Sequence, residues 1–217
     1  MLKTKYLTLI AFSSVFMCLS CHKEVKNNVE VYQNNFETGD LKNITGGSIE
    51  FYNGTHVLGR YNTSSFGLAL TNLPKHDLVT ISFDLYIHDS WDGNKLGIDS
   101  VDGPDIWKLI IDHNTYINTT FSNSPCAAGT LCPPQSFPNN FPNNNNIPKA
   151  GAFLTNLPPV CNLTSTTTLY KIEKTVKHTH SNLLLQCVDG LVQGNAPDKK
   201  CDESWSIDNL KIKVIGL

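Results

Sequence analysis

Apolar and polar residues alternate most strictly between Leu78 and His88. There Val79, Ile81, Phe83, Leu85 and Ile87 take every second position, and Thr80, Ser82, Asp84, Tyr86 and His88 fill the others. A period of two puts one set on each side of an extended chain, so the segment predicts a strand with one face in a core and one in water. Shorter β-branched and aromatic runs at 48–52, 56–60, 66–72, 105–112, 116–121, 169–177, 182–188 and 209–215 predict further strands, separated by Gly, Pro, Asn and Asp. No stretch carries the i, i+3, i+4 pattern of a helix of usual length. Strands without helices to cover them have to bury their apolar faces against one another. The expectation is an all-β fold, a two-sheet β-sandwich of jelly-roll type.

The ends of the chain read differently. Lys3 and Lys5 precede an apolar run from Tyr6 to Leu19, which is short for a membrane span and is followed by Ser20 and Cys21. This stretch resembles a bacterial lipoprotein signal. The resemblance implies cleavage after residue 20 and lipidation of Cys21, with Cys18 standing where that family usually has an aliphatic residue. Residues 21–33 are polar and lack an apolar period, as expected of a tether. The domain is expected over 34–217. Inside it, the Pro- and Asn-rich stretch 122–159 reads as a long loop. The expected location is the cell envelope, at the outer membrane or cell surface, with the lipid as the only contact with the membrane.

Composition narrows the function. The chain is 40% apolar and 17% charged, enough to bury a core. Without residues 1–20 it carries 15 basic against 19 acidic side chains, a net charge of −4. Such a body lacks the basic face that nucleic acid requires. Beyond Cys18 and Cys21, five cysteines remain. The short spacings suggest bridges Cys126–Cys132 and Cys187–Cys201, which suit an exported protein and leave Cys161 over. No CxxC or nearby histidine pair supports a zinc site at these cysteines.

Candidate chemistry concentrates between Asp84 and Asp112, which encloses seven aspartates. Asp89, Asp92, Asn94, Asp99, Asp102 and Asp105 supply the hard oxygen donors that calcium takes, although the spacing is not that of an EF-hand. Trp91, in the same loop, is the best candidate for stacking on a sugar ring, with Asp89, Asp92 and Asn94 to accept or donate hydroxyl hydrogen bonds. Trp107 and Trp205 lie inside strand patterns and read as core. His178 and His180 read as an exposed polar strand face rather than a metal pair. Asp89 with Asp92, or His88 and His113 with a nearby Asp, are the available acid–base groups for a hydrolase. No GxSxG or HExxH motif fixes a nucleophile or a metal.

The domain opens on Asn35-Phe36-Glu37-Thr38-Gly39 and closes on Ser206-Ile207-Asp208-Asn209-Leu210-Lys211-Ile212. This frame resembles the extracellular jelly rolls of carbohydrate-binding modules and MAM-type adhesion domains. The resemblance implies that the first and last strands meet and that Glu37 and Asp208 hold a structural calcium. The reading is therefore a calcium-stabilised binding or adhesion module for carbohydrate or a surface protein, with Asp99, Asp102 and Asp105 as further metal candidates. The alternatives are a glycoside hydrolase or lyase on the same scaffold, or a structural surface protein.

Overall fold

In the computed structural model, residues 24–96, 103–123, 126, 132–161, 165–192 and 196–217 are described. The signal peptide, Cys21, Asp99 and Asp102 lie outside them. The described chain forms β1 (Asn27–Asn34), β2 (Ile44–Thr45), β3 (Ile49–Tyr52), β4 (Thr55–Tyr61), β5 (Ser65–Leu70) and β6 (Leu78–Asp89). These are followed by β7 (Ile106–Ile111), β8 (Asn114–Thr120), β9 (Leu154–Leu157), β10 (Thr167–Lys177), β11 (Leu183–Gly190), the one-turn helix α1 (Lys199–Asp202) and β12 (Glu203–Gly216). All pairings are antiparallel, in two sheets packed as the expected jelly-roll-type sandwich. One sheet runs β3-β4-β12-β6-β10-β9, with β1 also on β12; the other runs β2-β5-β11-β7-β8.

Strand β12 organises the larger sheet. Along one side it pairs with β6 from Glu203 to Ile215. Its other side is shared: β4 lies beside Trp205–Ile207, and β1 beside Leu210–Gly216. The change of partner falls at a bulge after Asp208, where Asn209 adopts a left-handed φ of 54°. Residues 27–34 therefore belong to the sandwich and not to a tether. They escaped the sequence pattern because most of β1 is exposed and only Val31 and Tyr32 pack against the core, so backbone pairing rather than an apolar face holds it.

Between the sheets lies one continuous core in which Val79, Ile81, Phe83, Leu85 and Ile87 of β6 are all buried, as their alternation requires. At one end the core becomes aromatic. Trp107 and Trp205 meet edge to face at 5.9 Å, Phe121 contacts both Trp91 and Trp107, and Tyr170 and Phe137 close the row. Each such pair adds about 0.5–1.5 kcal/mol beyond the area it buries.

The excursion 122–159 is fastened down through Gln135, which is fully buried. Its Oε1 accepts from the backbone N–H of Ser122 and Lys149, and its Nε2 donates to the carbonyls of Phe137 and Ala150. Part of the excursion even forms a strand, β9, beside the start of β10.

The cysteines pair differently from their spacing. Cys126–Cys132 is formed, but Cys201 bonds to Cys161, whose Cα lies 5.0 Å away. Cys187 points into the core from β11 and is free and buried. Spacing along the chain misleads here because β11 runs from Leu183 to Gly190 and turns Cys187 inward, whereas Cys201 sits on α1 beside the segment that follows β9.

Candidate functional site

The loop expected to bind a ligand is instead part of the packing. Trp91 is fully buried, and its Nε1 donates to the Ser204 carbonyl at 3.0 Å, so its ring has no face to offer. Asp89 ends β6 and is fully buried opposite Glu203. Asp92 is bridged to Ser122, gives its backbone N–H to the Asp105 carboxylate and contacts Lys95. Asn94 donates to the Asn144 carbonyl and the Asn145 side chain while accepting from Thr120 and Ser136, which ties the excursion to β8. Trp91 and Asn94 are pins: their polar groups hold distant segments together. Trp107 and Trp205 are core, as their strand positions indicated.

Asp105 behaves differently from its loop neighbours. It is fully buried just before β7 and touches Glu203 from the opposite sheet. Burial is the main cause that pushes its carboxyl up to about 8, with Asp92 adding repulsion, and its Oδ1 has no hydrogen-bond partner. Calcium takes about six to eight oxygen ligands, of which Asp105 with Glu203 beside it would be two side chains. The terminal pair fits it less well. Glu37 and Asp208 do converge, because β1 ends and β4 begins at the bulge of β12, but both already have protein donors. Thr55 Oγ1 sits between them, bonded to Glu37 and 3.3 Å from Asp208. His56 contacts the second Glu37 oxygen through Nδ1 at 3.0 Å, and the Asn209 N–H donates to Asp208 at 2.6 Å. The Thr55 hydroxyl, then the His56 contacts, hold the Glu37 carboxyl below its usual range. Asp208, being buried and close to Asp84, is pushed up to about 6. Among the described residues, no three His, Cys, Asp or Glu side chains are already gathered around a point that suits a metal ion.

Glu37, Thr55 and Asp208 begin a row that crosses the outer face of the larger sheet. Asp208 lies opposite Asp84 on β6, and Asp84 opposite Lys171 on β10. Lys171 Nζ contacts Asp84 Oδ1 at 2.7 Å, while Asn209 Nδ2 donates to Asp84 Oδ2 at 2.9 Å. Beside this row a groove of about 340 Å³ is lined by Gln33, Ser82, Asp84, Lys171, Glu173, Asn209 and Lys211, together with Phe83 and Ile172. At its rim the ring of Phe153, 59% exposed, lies 4.8 Å from the Lys171 ammonium. The other half of this face is closed, because Tyr52, Val57, Tyr86 and Leu169 pack under Leu157 and Val160. His88 is sealed there between Thr167 and Ser206, and burial lowers its pKa to about 3.

Strand parity made Ser82 and Asp84 recognisable as outward-facing, but the groove was not. One side of it is built by Gln33 of β1, which shows no strand pattern, and Phe153, beside Lys171 on the opposite side, belongs to the Pro- and Asn-rich excursion.

No family model matches the sequence, and no curated protein matches it. Among solved structures, the chain is similar to dimeric latent PorU from Porphyromonas gingivalis, at 7% identity and a TM-score of 0.44. That match covers 87% of this chain but only 13% of PorU. It is also similar to a family 35 carbohydrate-binding module from Clostridium thermocellum, at 11% identity, TM-score 0.38, covering 86% of this chain and 97% of the module. A third is the C-terminal CBM6 of LamC from Zobellia galactanivorans, at 13% identity, TM-score 0.35, covering 86% and 98%.

Proposed function

We propose that the chain is an exported, lipid-anchored binding module that holds a carbohydrate in the outer-face groove. The observation that carries this reading is the lining: Ser82, Asp84, Asn209, Gln33, Lys171 and Lys211 supply donors and acceptors along the groove, with one exposed phenyl ring at its rim. Sugar hydroxyls both donate and accept, so a mixed floor of carboxylate, amide and ammonium suits them, and the apolar C–H face of a pyranose packs on an aromatic ring. Asp84 is already oriented by Lys171 and Asn209, which keeps the cost of ordering the site low.

Binding to a panel of soluble polysaccharides, followed by calorimetry on the best ligand, tests this. Asp84→Ala and Phe153→Ala should each weaken binding at least about tenfold, which corresponds to about 1.4 kcal/mol. If the panel yields no ligand, or the ligand binds both variants as it binds the parent, the outer face is a solvated surface and the reading is wrong. Anchoring is tested separately: the mature N-terminus should be acylated Cys21, and Cys21→Ala should move the protein to the soluble fraction. Calcium belongs to this reading as a stabiliser held by Asp105 with Glu203 beside it. Millimolar calcium should then raise the melting temperature of chelated protein, and Asp105→Asn should abolish the rise.

A further inference from the structure

The side of the sandwich between β10 and β8 is open. Strand β9 pairs with β10 only at Thr167 and Leu169, and no strand among the described residues pairs with the edge of β10 from Lys171 to Lys177. In the facing sheet β8 is the last strand. Its free edge is held by the excursion: the Phe137 N–H donates to the Thr120 carbonyl, the Phe141 N–H to the Asn118 carbonyl, and the Asn118 N–H to the Asn140 side chain. Between this wall and β10 lies a seam of about 410 Å³, apolar at Ile117 and Ile172 and polar at Tyr116, Asn139, Asn140 and Lys174.

Lys174 is the residue that a simple strand pattern does not explain. It sits between Ile172 and Val176, on the core-facing side of β10, yet it is a half-buried lysine. Lys171 and Lys211 pair with Asp84 and Glu30, whereas no ion pair or hydrogen bond among the described residues includes the Lys174 ammonium. Asn139 and Asn140 each accept through the side-chain oxygen, from Asn146 and from the Asn118 N–H, which leaves their Nδ2 groups free to donate. The seam therefore combines an apolar lining with unspent donors.

It is continuous with the outer-face groove. The two share Lys171, Ile172 and Glu173, and the groove in turn shares Gln33 with a further hollow of about 340 Å³ beside Asn35 and Asp40. The strands beneath the outer groove, β1, β12, β6 and β10, span about 14 Å at about 4.8 Å between neighbours, and the separation of the sheets adds about 10 Å. Beyond Tyr116 the polar groups are already engaged. His178 is buried there, with Nδ1 2.6 Å from His76 Nε2 and Nε2 2.9 Å from Asp112, so it is not on the exposed strand face expected of it.

We propose that the ligand is an internal stretch of a linear polysaccharide, which crosses the outer face transverse to the strands and passes over Lys171 and Glu173 into the seam. There Lys174, Asn139 and Asn140 donate to its oxygens. This rests on the outer-face reading above and adds to it a direction and a length. A furrow that continues past the groove on both sides suits a chain passing through rather than a chain end.

The test uses the full chain with cello-, xylo- and manno-oligosaccharides of two to six units, by calorimetry and by amide chemical shifts. Affinity should keep rising up to six units. The best hexasaccharide should shift Gln33, Asp84 and Asn209 together with Tyr116, Asn139, Asn140 and Lys174. Lys174→Gln, with the melting temperature of the parent, should remove most of the gain from two units to six, at least about tenfold in Kd. Shifts on the outer face alone, with affinity level beyond two units, overturn the extension and leave the outer-face reading standing. Lys174 is then a charge that guards an open edge against strand pairing. Shifts in the seam alone contradict the continuous path, and no shift with any hexasaccharide refutes both readings.

Discussion

The two ends of the sandwich each bury polar groups, and they solve the problem differently. At one end stand the carboxylates of Asp89, Asp105, Asp189 and Glu203, all among or beside the three tryptophans. At the other stand two imidazoles and Asp112. Asp189 shows how a buried carboxylate is made stable. It accepts from the N–H groups of Thr63, Ser64 and Leu191 and from Trp205 Nε1, so four donors surround it. Asp105 receives the Asp92 N–H but keeps an oxygen without a hydrogen-bond partner, and it touches another acid. At the histidine end the carboxylate is flanked by protein groups, with His178 Nε2 2.9 Å from Asp112 Oδ2 and the Leu184 N–H donating to Oδ1. What separates the two ends is the kind of group buried: carboxylates among the tryptophans at one, imidazoles with a carboxylate at the other.

The largest effect should come from removing the satisfied carboxylate. Asp189→Ala strands three backbone donors and the Trp205 indole, and about 3 kcal/mol or more of stability should be lost in chemical denaturation. Asp105→Asn should behave in the opposite way at alkaline pH. An acid whose folded pKa is near 8, against a usual value of 3.8, binds its proton more tightly folded than unfolded. Stability should therefore fall as pH rises from about 4 to 8, by on the order of 1 kcal/mol or more, and the variant should flatten that limb. His88 sets the other limb. Its folded pKa of about 3 lies below the usual 6.5, so the stability it contributes is present above 6.5 and lost as pH falls toward 3. Denaturation at several pH values with calcium absent resolves both limbs, and a flat profile contradicts both assignments.

The cysteines give the smallest and cleanest check. Peptide mapping without reduction should recover Cys161 linked to Cys201. Cys187 should resist thiol reagents in the folded protein and react once it is unfolded.

The core was legible in the sequence because burial there follows strand parity. The alternation over Leu78–His88 separated the two faces of β6 correctly, but Tyr86 and His88, expected in water, are buried under Leu157 and Val160 and between Thr167 and Ser206. Parity has nothing to say about what covers a loop. Trp91 and Asn94, in a polar stretch rich in Asp and Gly, read as ligand groups, yet Ser204, Asn144 and Ser136 reach them from distant segments. The same limit hid β1, held by main-chain bonds to β12, and the Cys161–Cys201 bridge, whose partners are 40 residues apart in sequence. Glu37 and Asp208 were recognisable from a frame resemblance. Their meeting at Thr55 needs the bulge at Asp208, which no residue pattern announces.

The claim that the outer face is the binding face is tested most directly by amide chemical-shift mapping with a bound oligosaccharide. Perturbations should gather at Gln33, Ser82–Asp84, Lys171–Glu173 and Asp208–Lys211, with Phe153 beside Lys171. Perturbations confined instead to the Asp89–Asn94 loop or to the Asp112 and His178 turns, with the outer face unchanged, would contradict it.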